Sequence, residues 1–158
     1  MKRIYKQGHN DECKDEYGIS SLMWASDKGH KDIVELLITK GANIEMRNEF
    51  RETPLFQAVT GGSFSGGRST SGHKDIVSLL IAEGADVSAI DQKGHSALDE
   101  AAWNLTFVRQ QYDYLTTKEI ITLLIENGAH WGGIVNAVCG GDLAFVNQYL
   151  DAGGYVDR

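Results

Sequence analysis

The chain of 158 residues has one proline, two cysteines, no long apolar run and a deficit of positive charge. Cys13 and Cys139 are too few for a disulfide scaffold, which indicates a reducing compartment and makes the cytoplasm the expected location. No apolar stretch approaches the roughly 18 residues that a membrane span needs, and the first residues lack the apolar centre of a signal peptide. Fifteen basic against 22 acidic residues give a net charge of -7. This charge argues against binding to nucleic acid or to an anionic membrane, because both need clustered cations.

The rest of the composition is that of a folded domain with an unusual balance of glycine and proline. The length favours a single domain, and a hydrophobic content of 42% is enough for a core, which excludes wholesale disorder. Eighteen glycines stand beside the single proline. This balance indicates short elements that end in glycine caps and are repeated many times.

One pattern recurs three times along the chain. Three similar apolar runs each end in a glycine, at Gly41, Gly84 and Gly128. Apolar residues at i, i+1, i+3 and i+4 form a buried stripe on a helix, and the glycine supplies the left-handed residue that ends it. A shorter helix is predicted ahead of each run, and the residues that would cap these helices are Ser20, Thr53 and Ser96.

These segments resemble the ankyrin repeat, whose pattern combines T-P-L-H-x-A, G-H, an I-V-x-L-L run and G-A. The chain carries TPLFQAV from Thr53, GHKDIVELLITKGA from Gly29 and GHKDIVSLLIAEGA from Gly72. The resemblance covers nearly the whole chain and implies an all-α solenoid of about four stacked helix pairs with short β-turn fingers. A tetratricopeptide array is the alternative, but its signature residues and its 34-residue period are absent.

The resemblance predicts a single ankyrin-repeat domain over residues 1–158. Its expected parts are a truncated N-terminal half repeat (1–14), repeat 1 (15–47), repeat 2 (48–90), repeat 3 (91–130) and a C-terminal capping repeat (131–158).

Repeats 2 and 3 are longer than the family pattern. Leu22 and Leu55 are 33 residues apart, as the family period requires, whereas Leu55 and Leu98 are 43 apart. The additional residues form two predicted insertions between the first and second helix of a repeat, at about 61–71 and about 103–115.

The second insertion is rich in aromatic residues, with four among thirteen positions. Two interpretations stay open: the aromatic side chains bind a partner, or they fold back over the stack as a local core. The start of this insertion is expected to continue the helix before it. Thr116 and Glu119 have the spacing of a capping box and predict the start of the next helix.

No catalytic or metal-binding constellation is recognisable. His30 and His73 occupy the G-H position, where the resemblance implies a structural role for the ring. No pair of histidines has ligand spacing with a third ligand nearby, so neither a metal nor a cofactor is predicted. No arrangement of nucleophile and base stands out, so the chain is not expected to be an enzyme.

The resemblance implies a non-catalytic protein–protein interaction module that binds its partner through a concave face and the inserted loops. The family's variable positions, carried over to the turns and first helices, give the partner-binding candidates Glu16, Tyr17, Ile19, Asp27, Lys28, Glu49, Phe50, Glu52, Gln92, Lys93 and His95. The second insertion adds Trp103, Phe107, Arg109, Tyr112 and Tyr114, of the residue types enriched in interface hot spots.

Two narrower interpretations accompany this one. A small acidic ankyrin protein resembles inhibitors or immunity proteins that neutralise a basic toxin or enzyme. A chain that starts and stops within the repeat pattern is also expected of a fragment cut from a larger ankyrin scaffold or effector. Both imply another protein as the partner, basic in the first case, and a monomeric chain is expected.

The histidine of the T-P-L-H pattern is replaced by Met23, Phe56 and Asp99. The inter-helix hydrogen bonds that this histidine makes in the family are therefore expected to be missing. We predict a thermal unfolding midpoint below about 80 °C, measured by circular dichroism. A midpoint well above that temperature would contradict the prediction.

Overall fold

The computed structural model describes residues 13–61, 71–107, 114–131 and Gly141. These residues form the helices α1 (Ser21–Asp27), α2 (Lys31–Thr39), α3 (Pro54–Thr60), α4 (Ser71–Ala82), α5 (Ala97–Phe107) and α6 (Tyr114–Glu126). The prediction of an all-α fold is confirmed. The half repeat up to residue 12, most of the first insertion and the capping repeat, apart from Trp131 and Gly141, lie outside the described residues.

The six helices pack in two layers. In one layer α1 contacts α3 and α3 contacts α5; in the other α2 contacts α4 and α4 contacts α6. Each first-layer helix also contacts the helix that follows it in the chain. Equivalent leucines on α1, α3 and α5 (Leu22, Leu55 and Leu98) are no more than 1% exposed. The repeated apolar stripes thus form one continuous core between the layers, as expected of stacked helix pairs.

The first helix of each pair begins at the predicted cap. The hydroxyl oxygens of Ser20 and Thr53 each accept a hydrogen bond, at 3.2 Å, from the backbone N–H three residues later. At α5 the cap is reciprocal. The Ser96 backbone N–H donates to Asp99 Oδ2 at 2.9 Å, and the Asp99 N–H donates to Ser96 Oγ at 3.2 Å. Asp99 therefore stabilises the start of α5 from the position where the family pattern has histidine.

A tight turn before each first helix is built by one side-chain oxygen. Asp15 Oδ1, Asn48 Oδ1 and Asp91 Oδ1 each accept two backbone N–H groups, from the residues two and four positions later, at 2.8–3.0 Å. The residue three positions after the acceptor has a left-handed backbone in every copy, as shown by the φ angles of Gly18 (73°), Arg51 (63°) and Gly94 (86°). Such Asx turns are a local alternative to regular structure.

Hydrogen bonds between backbones join these turns in series. The Glu49 N–H donates to the Tyr17 carbonyl at 3.2 Å, and the Gln92 N–H donates to the Phe50 carbonyl at 2.8 Å. The donors Glu49 and Gln92 are equivalent to each other, as are the acceptors Tyr17 and Phe50, so the same bond recurs between successive turns and the three turn tips lie side by side.

His73 connects repeats 1 and 2 from inside the core. Its ring is buried, with Nε2 2.9 Å from the Asp27 carbonyl oxygen at the end of α1. A Cβ placed on Gly61 would lie 3.0 Å from Cδ2 of this ring, and the Gly61 backbone has a positive φ of 34°, so both features favour glycine. The structural role predicted for His73 is confirmed, whereas His30 in the equivalent position is exposed.

The residues of the second predicted insertion are partly helical, and one prediction about their end is wrong. α5 continues to Phe107, as expected, but α6 begins at Tyr114 rather than after Thr116. Thr116 and Thr117 are buried residues within the helix, so Thr116 is not its N-cap. The capping-box spacing failed here because the helix extends two residues into the predicted insertion. Residues 108–113, with Arg109 and Tyr112, lie outside the described residues.

Within the described ranges, no helix is both long enough and apolar enough to cross a membrane.

The two-layer core makes a direct prediction for stability. Leu98→Ala removes a completely buried side chain of α5 and is expected to lower the free energy of unfolding by about 2–5 kcal/mol. Leu36→Ala on α2 is the matched control, since Leu36 is 57% exposed, and is expected to cost about 0.5 kcal/mol or less. Urea denaturation of both variants measures the difference; equal losses would contradict this packing.

Candidate functional site

Six of the predicted partner-binding residues form a row along the turn tips. We call this set the turn row: Glu16, Tyr17, Glu49, Phe50, Gln92 and Lys93. The backbone hydrogen bonds between successive turns hold these residues next to their equivalents. Both aromatic side chains are accessible, with Tyr17 51% and Phe50 44% exposed. An accessible aromatic pair held by a hydrogen-bonded backbone is a preorganised contact surface.

The first helices continue this face beyond the turns. Two residues after the repeated leucine, α1, α3 and α5 carry Trp24, Gln57 and Glu100. Five residues after it they carry Asp27, Thr60 and Trp103. Trp103 is 55% exposed, while Phe107 and Tyr114 are residues of α5 and α6 whose side chains lie outside the description.

Two predicted site residues are not on the surface. Ile19 is only 4% exposed, because it follows the Asx turn and packs in the core before α1. Asp27 is 2% exposed at the end of α1, with Oδ2 3.1 Å from Lys28 Nζ. Both predictions came from equivalent positions in the repeat and took no account of burial. Neither side chain can contact a partner directly.

Lys28 is held against Trp24 and Asp27. Its Nζ lies 5.2 Å from the centroid of the Trp24 ring, within the range of a cation–π contact. The Trp24 Nε1–H donates to Asp15 Oδ2 at 3.1 Å. Repeat 1 therefore presents an aromatic ring with a partly exposed cation above it, fixed to its own turn.

Between repeats 2 and 3 the face contains a pocket of about 250 Å³. We call it the acidic pocket; its lining residues are Glu52, Phe56, Gln57, Thr60, Asp91, Lys93 and Glu100. A second cavity of about 320 Å³ adjoins it, lined by Lys93, His95, Asp99, Glu100 and Trp103. The two cavities share the lining residues Lys93 and Glu100, and we refer to them together as the groove, which includes residues of α3, the third turn and α5.

The electrostatics of the acidic pocket centre on Glu52. Burial raises the pKa of this carboxyl above its ordinary value, and the nearby carboxylates Asp91 and Glu100 raise the pKa further. Hydrogen bonds to Glu52 Oε2 from Asn48 Nδ2 at 2.6 Å and from Gln57 Nε2 at 2.8 Å lower the pKa in part. The pocket thus gathers negative charge at a cost that local hydrogen bonds offset incompletely.

Comparison with known proteins agrees with the repeat pattern and the stacked helix pairs. A family model described as "Ankyrin repeats (3 copies)" matches residues 1–66, and one described as "Ankyrin repeat" matches residues 51–92. The chain belongs to the ankyrin repeat family. Comparison with curated proteins finds no match. Ankyrin repeat proteins are in general protein–protein interaction modules and typically non-catalytic. The α5–α6 pair lies beyond the matched residues and continues the ankyrin stack.

The expectation of no metal rested on the lack of a histidine pair with ligand spacing, whereas the structure of this ankyrin domain brings one histidine close to two carboxylates. Asp91, His95 and Glu100 place one ligand atom each within 4.8 Å of one another, with His95 Nδ1 3.2 Å from Glu100 Oε1. Asp91 already uses Oδ1 for its turn. A histidine with two nearby potential ligands therefore exists, although sequence spacing did not indicate one.

Most residues of the acidic pocket were not among the predicted site residues. Gln57 and Glu100 occupy one position of the ankyrin repeat, two residues after the repeated leucine. This shared position was the feature of the sequence from which the two residues could have been predicted to lie on one face. Asp91 was equally visible as the first residue of an Asx turn that recurs at Asp15 and Asn48. The family's variable positions drew attention to the turn tips and the helix ends, and the middle of the first helix was left out.

The position of Glu52 predicts a pH-dependent stability. A raised pKa in the folded state means that the stabilising contribution of this group is present at low pH and is lost as the pH rises through the raised value. Ionised Glu52 therefore lowers the free energy of unfolding at pH 7. Glu52→Gln is expected to raise it by roughly 0.5 kcal/mol at pH 7.

Urea denaturation across pH 4.5 to 7 measures this effect. The advantage of Glu52→Gln should shrink toward the lower end, where a larger fraction of the wild-type carboxyl is protonated. Glu49→Gln, which removes the same charge from an exposed turn residue, is the control and should show no such trend. A Glu52→Gln variant that is less stable than the wild type at pH 7 would be inconsistent with the electrostatics described.

Proposed function

We propose that this ankyrin repeat domain binds a partner protein across the turn row and the groove on its first helices. The observation that carries the proposal is the alignment of exposed side chains by backbone hydrogen bonds between successive turns. Tyr17 and Phe50 supply accessible aromatic surface on that row. Aromatic anchors on a rigid frame bind at a low cost in conformational entropy.

We further propose that the partner presents a basic surface. The whole chain has a net charge of -7, and the groove contributes Glu52, Asp91, Asp99 and Glu100 against Lys93 and His95. Complementary charge speeds the encounter of two proteins and disfavours acidic competitors. A basic toxin or enzyme held by this domain would fit the same surface, so the inhibitor interpretation is one form of this proposal. Cytoplasmic location and a monomeric state stay predictions.

The proposal is tested by comparative capture. The full chain is immobilised, incubated with lysate of its native cells, and the bound proteins are quantified by mass spectrometry. Tyr17→Ala/Phe50→Ala disrupts the turn row, whereas Ile33→Ala/Leu36→Ala removes apolar side chains of α2 that are 48% and 57% exposed. We expect the turn-row variant to lose the specific partner and the α2 variant to retain it.

The turn-row change is expected to weaken the dissociation constant of the isolated complex about tenfold or more. Equal retention by both double variants would contradict a turn-row interface, as would loss confined to the α2 variant. One basic protein bound by the wild type favours the inhibitor interpretation, and several unrelated proteins favour a scaffold.

The charge of the partner makes a separate prediction. If basic groups meet the acidic groove, the association rate constant should fall as NaCl rises from about 50 to about 500 mM, because salt screens long-range attraction. Surface plasmon resonance of the purified complex measures this rate. An association rate that is independent of salt would rule out the proposed charge complementarity while leaving the turn-row contact standing.

A further inference from the structure

The acidic pocket contains a buried hydrogen-bond acceptor without a donor. The Gln57 side chain is 1% exposed, and its Nε2 donates to Glu52 Oε2 at 2.8 Å. Within the described part of the chain no donor reaches Gln57 Oε1. A buried amide oxygen in this state is uncommon in folded proteins, because satisfied polar groups are the rule. Since the amide nitrogen faces the Glu52 carboxylate, exchanging the two amide atoms would place oxygen against oxygen.

The same pocket carries uncompensated negative charge. Glu52, Asp91 and Glu100 all line it, and burial together with the two neighbouring carboxylates raises the pKa of Glu52. Among the residues that line the acidic pocket, Lys93 is the basic one, and it forms no ion pair with any described residue. A hydrogen-bond acceptor without a donor, beside several carboxylates, favours a ligand that is cationic and also donates several hydrogen bonds.

A guanidinium group fits these requirements best. It carries five N–H donors in one plane, pairs with carboxylates through two parallel hydrogen bonds and is more weakly hydrated than an ammonium group. The pocket has a volume of about 250 Å³, which is several times the roughly 30 Å³ that one water molecule occupies, so there is room for this group. Gln57 lines the pocket, and we expect a donor that enters and shifts the Glu52 carboxylate to reach Gln57 Oε1.

The adjoining cavity suits the rest of an arginine side chain. It shares Glu100 and Lys93 with the acidic pocket and is bounded by Trp103, whose ring is 55% exposed. Arginine packs its aliphatic stem and its guanidinium plane on aromatic faces. The groove therefore combines the aromatic side chain of Trp103 with carboxylates, of which Glu100 lines both cavities.

We propose that the acidic pocket is a binding site for the guanidinium group of an arginine side chain, with Glu52, Gln57 and Glu100 as its acceptors and Trp103 beside its stem. As a statement about the partner, this inference rests on the proposed function. It specifies the proposed basic partner further, as a protein that inserts an arginine side chain between repeats 2 and 3. Lys93 also lines the site and opposes the ligand by its like charge.

The test uses N-acetyl-argininamide as the probe and nitrogen–proton NMR spectra of the full chain. The isosteric N-acetyl-citrullinamide has the same shape without the charge and is the ligand control. We expect the arginine probe to shift the Gln57 side-chain amide and the Trp103 indole N–H saturably, with a dissociation constant of about 1–10 mM for so small a ligand. The citrulline probe should produce less than a fifth of these shifts.

Two variants of equal charge change make the assignment specific. Glu100→Gln removes a carboxylate from the pocket and is expected to weaken probe binding at least about fivefold. Glu83→Gln, at an exposed position just after α4, should leave it unchanged. Lys93→Gln is expected to tighten binding about two- to threefold. Equal binding of the citrulline probe, or equal effects of Glu100→Gln and Glu83→Gln, would overturn the inference.

A metal ion is the competing ligand, because Asp91, His95 and Glu100 lie close together. Zinc ion alone is therefore titrated in a parallel experiment. Zinc shifts around His95 and Glu100 at micromolar concentration, without any response to the arginine probe, would assign the pocket to a metal and overturn the proposal. Partner capture through the turn row with no probe binding would refute the arginine site alone. Probe binding without a turn-row-dependent partner would refute the proposed interface instead.

Discussion

The proposed binding face depends on one repeated interaction, a side-chain oxygen that accepts two backbone N–H groups. Asp15, Asn48 and Asp91 make it at the start of three successive turns. Because the interaction fixes the path of each turn, the tips come into register and donate hydrogen bonds to one another. An exposed aromatic or charged side chain two residues later then has one defined place. Without this constraint the turn row would be three independent loops.

Asp91 links the scaffold to the site. One of its oxygens holds the third turn, and the same carboxyl lines the acidic pocket and raises the pKa of Glu52. The pocket therefore lowers stability at the proposed binding site: like charges approach one another, and no donor among the described residues reaches the buried amide oxygen of Gln57. Such local conflicts are typical of functional sites, because a ligand of opposite charge relieves them.

The sequence was sufficient for the features that obey a local rule. The N-caps at Ser20, Thr53 and Ser96 follow from side-chain chemistry, and the glycine ends of the second helices follow from backbone freedom, so both were predictable. Because the same local features recur at fixed spacing along the chain, a fold of stacked helix pairs was predictable as well. The structural role of His73 was also predictable from its position in the repeat.

The failures have physical causes as well. Ile19 and Asp27 were assigned to the surface by equivalence, but burial differs between repeats and is set by neighbours. Thr116 has the spacing of a cap, yet α6 begins at Tyr114, because a spacing rule says nothing of helix-forming residues upstream. The acidic pocket joins Gln57 on α3 to Glu100 on α5, and only the packing of the two helices brings them together.

Hydrogen–deuterium exchange of the full chain, with and without its captured partner, tests the central claim most directly. The claim is that binding uses the turns and the first-layer helices. It predicts slower exchange in the turns at 15–19, 48–52 and 91–95 and in α1, α3 and α5, with α2, α4 and α6 unchanged. Protection confined to α2, α4 and α6 would contradict it.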